Sequence, residues 1–134
     1  MLEGNTGTVN VAFSNASNFN GNTAALNSFS TLNGSVNGNS ATVTVTNGAR
    51  ELDTSIVANN LAQGTTIDLS DATATTVIYT DTNGTWTALD GTVTVSQLTS
   101  TGMTLTFNNV VLTNTSGGST GSATISGTVT FVAS

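Results

Sequence analysis

Valine and threonine take turns along much of this chain, and that two-residue period decides what it can fold into. In Ala41–Thr46, Val43 and Val45 fall on one side while Thr42, Thr44 and Thr46 fall on the other. Successive side chains of an extended strand point to opposite faces, so such a run makes a half-buried strand and has no apolar stripe to offer as a helix. The same period runs through Thr8–Phe13 (Val9, Val11, Phe13), Thr92–Leu98 (Val93, Val95), Met103–Phe107 (Met103, Leu105, Phe107) and Ala123–Phe131 (Ala123, Ile125, Gly127, Val129, Phe131). Leu52–Ala58, Thr65–Leu69 and Thr85–Leu89 are weaker versions. Thr75–Thr80 is apolar on both faces at its centre, which predicts a central strand. Only Asn22–Asn27 and Ala58–Ala62 leave room for a turn of helix, and neither has an apolar period of 3.6 residues.

The alternation breaks once with a physical consequence. Val110 and Leu112 are out of phase with Met103, Leu105 and Phe107, so one extra residue sits between them. A β-bulge at Asn108-Asn109 restores the phase and bends the strand. Turns are marked by Asn-Gly at Asn20-Gly21, Asn33-Gly34, Asn37-Gly38, Asn47-Gly48 and Asn83-Gly84, and by Asp90-Gly91. Asn-Gly suits the centre of a type I′ hairpin turn, where both residues need positive φ. The second half then reads as an antiparallel meander: Thr75–Asp81, Thr85–Leu89, Thr92–Leu98 and Met103–Leu112. A Ser/Gly/Thr-rich connection, Asn114–Gly121, is expected to be mobile and leads to the last strand.

The 134 residues suffice for one domain. Eight or nine short strands with regular turns predict an all-β fold, an antiparallel β-sandwich. A flattened β-barrel is the alternative, because the bulge and Gly127 both help a sheet to curl.

Charge narrows the function. Charged residues make up 6% of the chain, against about 25% in a typical domain. The net charge is −6 with a single cation, Arg50. Binding nucleic acid takes several cations to neutralise phosphates, so that class is excluded; an anionic membrane surface is excluded for the same reason. No stretch approaches the ~18 apolar residues of a membrane-spanning helix, so no membrane insertion is expected. A surface made from Thr, Ser, Asn and Gly instead of Lys and Glu is typical of secreted and surface β-domains. The expected location is therefore extracytoplasmic, with the signal segment absent from the sequence given.

The missing residue types exclude most catalysis. The chain has no His, Cys or Lys. Ser–His, Cys–His and Ser–Lys nucleophile systems, Schiff bases and His- or Cys-ligated metals are thereby ruled out. Glu51 and Asp53, two apart on one strand, are the best carboxylate pair for glycoside hydrolysis, but an exposed strand face with Arg50 as a nearby counterion explains them as well. Asp81-Thr82-Asn83-Gly84 resembles the opening of a calcium loop, yet the twelfth position is Thr92 and not Glu. Asp68 and Asp71 are a second candidate of the same kind. Tyr79 and Trp86, on strands paired across the Asn83-Gly84 hairpin, are the candidate ligand residues: a platform on which a sugar ring could stack. Core burial is the competing explanation for both. No cofactor and no metal site is expected, and the chain is expected not to be an enzyme.

The stretch Tyr79–Trp86, then Gly91-Thr-Val-Thr-Val95, Met103-Thr-Leu-Thr-Phe107 and Gly121–Phe131 together resemble a group of small bacterial secreted or lipoprotein β-domains of unknown function. In that group a W-x-A-x-x-G-T-V-T-V strand pair precedes a final G-x-x-x-x-G-x-F strand. The resemblance covers about residues 64–132 and implies a cell-envelope β-fold with no catalytic residues. The functional expectation is a structural or interaction module of the cell envelope or of a surface assembly. Its partners would be other proteins or further copies of itself, met through edge strands, with Thr8–Phe13 as a segment that could be donated to a neighbour. A small-ligand or glycan-binding module and a phage or virion component are the alternatives.

Overall fold

The computed structural model describes residues 2–71, 74–115 and 118–133. These form ten strands, all paired antiparallel, and no helix. In chain order they are β1 (Leu2–Gly4), β2 (Thr6–Ser17), β3 (Thr31–Asn37), β4 (Ser40–Asn47), β5 (Arg50–Val57), β6 (Thr66–Asp68), β7 (Thr76–Asp81), β8 (Gly84–Leu98), β9 (Gly102–Asn114) and β10 (Ser122–Val132). The sheet runs β1-β3-β4-β5-β7-β8-β9-β10-β2, with β6 attached to β8. β1 and β2 stand at opposite ends of this path, yet only Asn5 separates them. The path therefore returns on itself: one N-terminal segment pairs with β3 through Leu2–Gly4 and with β10 through Thr6–Ser17. The all-β expectation is met by one strongly curled, open antiparallel sheet, a half-barrel that fits the sandwich or flattened-barrel expectation.

Three strands bend where this curl needs them to. On β9, Asn108 and Asn109 together face Ser126, and Asn109 takes φ of +51°. This is the bulge that the broken alternation predicts. Beside it, Asp90-Gly91 is a second irregularity, and Gly91 lies so close to the Asn109 carbonyl that a Cβ would sit 2.2 Å from it. On the far side, Gly127 of β10 packs its bare Cα against the Asn10 carbonyl of β2. Gly91, Asn109 and Gly127 thus form a crease across neighbouring strands.

Several expectations are corrected. Asp90-Gly91 is not a turn; it lies inside β8, a single 15-residue strand that was expected as two. In the β3–β4 and β4–β5 hairpins the central residues are Gly38-Asn39 and Gly48-Ala49, and only the glycines have positive φ. That is the type II′ pattern, one residue later than the expected I′ placement. Asn33-Gly34 is in mid-strand. β1 and β3 are additional to the strands read from the alternation. Asn22–Asn27 and Ala58–Ala62 form no helical turn. Of the Asn114–Gly121 connection, Ser116 and Gly117 lie outside the described residues.

The core is one cluster of inward residues from both halves of the curl, including Val11, Leu32, Ile56, Val77, Tyr79, Trp86, Val93, Leu105, Leu112, Ile125 and Phe131. Gly34 belongs to it by omission: a Cβ there would lie 2.2 Å from the Phe131 ring. The segment between β2 and β3, residues 18–30, crosses the gap that these two strands leave and drops Leu26, 1% exposed, into the core. Leu26 exchanges two backbone hydrogen bonds of 2.8 Å with Val11 of β2, and Ser30 N–H donates to the Thr46 carbonyl at 2.7 Å. This strap covers one end of the sheet.

Candidate functional site

The residues with chemical potential gather under the strap. Arg50 opens β5 on the inward side, alternate to Glu51 and Asp53, so it is not their counterion. Its Nε donates to the Tyr79 hydroxyl at 2.9 Å, and its Nη2 donates to the strap carbonyls of Asn22 and Ala24 at 3.1 and 2.7 Å. The guanidinium carbon lies 5.3 Å from the Phe13 ring centre and 5.6 Å from that of Tyr79, within cation–π range. Asp81 completes the unit from the end of β7. Its Oδ2 accepts from the Asn22 N–H at 2.8 Å and lies 3.0 Å from the Tyr79 hydroxyl; its Oδ1 accepts from the Asn83 N–H at 2.7 Å. An Asp two residues before a turn amide is a common hairpin device. Both its oxygens accept from protein donors, as the hairpin reading expects.

Tyr79 and Trp86 are directly paired across β7 and β8, and both are 0% exposed; Asp81 faces Gly84, so the turn is centred on Thr82-Asn83, one residue earlier than the expected Asn83-Gly84. The Phe19 ring from the strap sits 4.5 Å from Trp86 and 6.3 Å from Tyr79, and Phe13 meets Tyr79 edge-on at 5.0 Å. The Trp86 Nε1–H donates to the Thr120 carbonyl at 3.1 Å. A stacking platform needs an open ring face, and here the rings are the filling of the covered end. Burial pushes the Tyr79 hydroxyl up to about 12, with Arg50 opposing the shift and Asp81 adding to it.

A second latch holds the strap from outside. The Asn20 side chain donates to the Gly118 carbonyl at 2.7 Å and accepts from the Thr120 N–H at 2.9 Å, while the Asn83 side chain donates to the Asn20 carbonyl at 2.6 Å. One neutral residue so ties three loops together.

The other carboxylates are spread over the surface. Glu51 and Asp53 stand on the outward face of β5, next to Thr46, Thr44, Thr80 and Ile78. The Asp53 charge, then burial and a shared hydrogen bond, raise the Glu51 carboxyl above its ordinary range. Asp68 accepts from both the backbone and the hydroxyl of Ser70, which lowers its pKa. The Asp71 N–H donates to the Asp68 carbonyl at 3.2 Å, a local turn. Among the described residues no three His, Cys, Asp or Glu side chains come together in a metal-binding group, and no helix is long and apolar enough to cross a membrane.

Sequence reasoning missed one feature of the β2 edge, because no side chain carries it. Thr8–Phe13 is paired within its own sheet, against Thr130–Ile125 of β10. Antiparallel residues alternate between facing their partner strand and facing away. Val11 faces away, toward Leu26; by the same parity Gly7 and Val9 also turn their N–H and C=O groups from β10. Among the described residues these groups meet no backbone partner. They border a groove of about 480 Å³, whose walls are Gly7–Asn10 and Asn27–Phe29.

No protein-family model, no curated protein and no solved structure matches this chain.

Proposed function

We propose that the chain is a non-catalytic, extracytoplasmic structural or interaction module that meets protein partners through an open strand edge. The supporting observation is the groove at Gly7–Val9, where main-chain donors and acceptors lie ready beside a strand that is otherwise fixed in the sheet. Open edges are the usual entry for strand addition. Catalysis is disfavoured by where the reactive groups stand. Arg50, Tyr79 and Asp81 bind the strap and one another, and Glu51 and Asp53 lie on an outward sheet face. The surface, rich in Thr and Asn and poor in charge, supports the extracytoplasmic location.

Fractionation of producing cells tests this. An antibody against the chain should bind intact cells, and the chain should sediment with the envelope or its assemblies. A chain found only in the cytoplasm would refute the location. Hydrolysis of a glycoside that disappears in the Glu51→Gln/Asp53→Asn double variant would refute the non-catalytic role.

A further inference from the structure

We infer that the Gly7–Val9 groove takes a short, uncharged, extended peptide segment of another protein, flanked by basic residues. This rests on the interaction-module function above and names its partner class.

Main-chain geometry argues for a peptide. Gly7 and Val9 present alternating N–H and C=O groups along one edge, and the complement of that spacing is the edge of another extended backbone. Desolvating these groups without partners is costly, so an occupant has to return hydrogen bonds to them.

The lining of the groove on both sides favours a single segment over a sheet edge. Asn27–Phe29 wall it on one side, and the Leu26–Val11 bridge stops it at one end. A lone strand can enter such a slot, whereas a second barrel would have to push the strap aside.

Charge sets the remaining terms. None of Gly7, Thr8, Val9, Asn10, Asn27, Ser28 and Phe29 is charged, so an ionised side chain entering the slot would find no counterion. Over the chain as a whole the balance is one-sided. The chain carries seven carboxylates and one cation, and that cation, Arg50, is engaged by the strap carbonyls and Tyr79. Two copies, each at −6, repel one another; a segment with Lys or Arg on either side of its neutral core is attracted.

The test uses a synthetic peptide of alternating Thr and Val with lysines at both ends, added to the intact chain. NMR should show the Gly7 and Val9 amides shifting and becoming protected from exchange. N-methylation of the peptide nitrogens on its pairing edge should weaken binding about ten-fold or more. Replacing the flanking lysines by glutamates should weaken it several-fold at low salt, and the difference should vanish at high salt. Asn27→Trp, which fills the slot from an exposed position, should abolish binding while leaving the melting temperature unchanged. Peptide binding that leaves Gly7 and Val9 unmoved would overturn the inference. Equal affinity of the N-methylated or the Glu-flanked peptide, or protection of these amides by self-association alone, would do so too. If the peptide fails while the chain still sediments with the envelope, only the partner class is lost and the module function stands.

Discussion

Arg50 is the residue on which the covered end should depend most, and Arg50→Met measures it. The substitution keeps an unbranched apolar stem and removes the guanidinium. Two of the lost hydrogen bonds go to exposed carbonyls, Asn22 and Ala24, where water can replace the donor; these are worth about 0.5 kcal/mol each, the low end of the usual range. The bond to the buried Tyr79 hydroxyl is worth about 1 kcal/mol, since Asp81 and Asn22 remain beside that hydroxyl. The contacts with the Phe13 and Tyr79 rings add about 0.5 kcal/mol each. The sum is about 3 kcal/mol, and methionine packing on the same rings returns part of it, so the expected loss is about 2–3 kcal/mol. For a domain of this size that lowers Tm by roughly 8–12 °C. The assay is urea unfolding followed by the fluorescence of Trp86, the only tryptophan. Hydrogen exchange should quicken first at the Asn22 and Leu26 amides, because the strap opens before the barrel does. Arg50→Lys should recover about 1 kcal/mol, since it keeps the charge but not the planar fork. A loss below about 0.5 kcal/mol in Arg50→Met would refute the reasoning, and would mean that aromatic packing alone holds the strap.

Further outcomes follow from the same structure. Gly34→Ala, which forces a Cβ into the Phe131 ring, should cost about 2–3 kcal/mol by overpacking; Gly38→Ala, in open space at φ of +62°, should cost only about 1–2 kcal/mol. Chemical denaturation of the two variants side by side separates steric from conformational demand. The folded Tyr79 hydroxyl ionises at about 12, above the unfolded value near ~10. Its stabilising contribution is therefore full below pH ~10 and is lost as pH rises through the folded value. Tyrosinate absorbance reads this group alone, and Tyr79→Phe should flatten that part of the stability profile. Asp53 holds the Glu51 carboxyl above its ordinary range, so this repulsion is absent at low pH and destabilises once both groups ionise. Asp53→Asn should thus stabilise the protein at neutral pH by about 0.2–1 kcal/mol, less in high salt, and an NMR titration should find Glu51 back near its usual value. Leu26→Ala should cost about 2–4 kcal/mol, because the strap then has no side chain to fill the gap between β2 and β3.

The alternation made most of the sheet legible. Val43 and Val45, Val93 and Val95, and Val129 and Phe131 face inward as their spacing demands, and the phase break at Asn108-Asn109 located a real bulge. β3 was hidden because its inward row is Leu32, Gly34, Val36. The middle position is apolar only in the sense that the Phe131 ring fills it from another strand, and no local pattern encodes that. Asp90-Gly91 read as a turn because a positive-φ glycine serves a bulge as well as a hairpin. For the candidate site, the sequence correctly put Tyr79 and Trp86 on paired strands but could not show what covers them. Phe19 and Arg50 reach them from segments far apart in sequence. The Gly7–Val9 edge was invisible for a different reason: main-chain groups look alike at every position, and only the neighbours of β2 reveal which are unmet.

The N-terminal segment that joins the two ends of the sheet also dictates an order of events. Its partners lie at the far end of the chain, with Thr6 reaching the carbonyl of Val132. As the polypeptide is made, β2 can meet its partner β10 only after all the intervening strands have been made. Closure is then a late step over a long loop, of the kind that makes β-proteins fold slowly. A chain built in this way leaves the β2 edge unmatched until β10 is available.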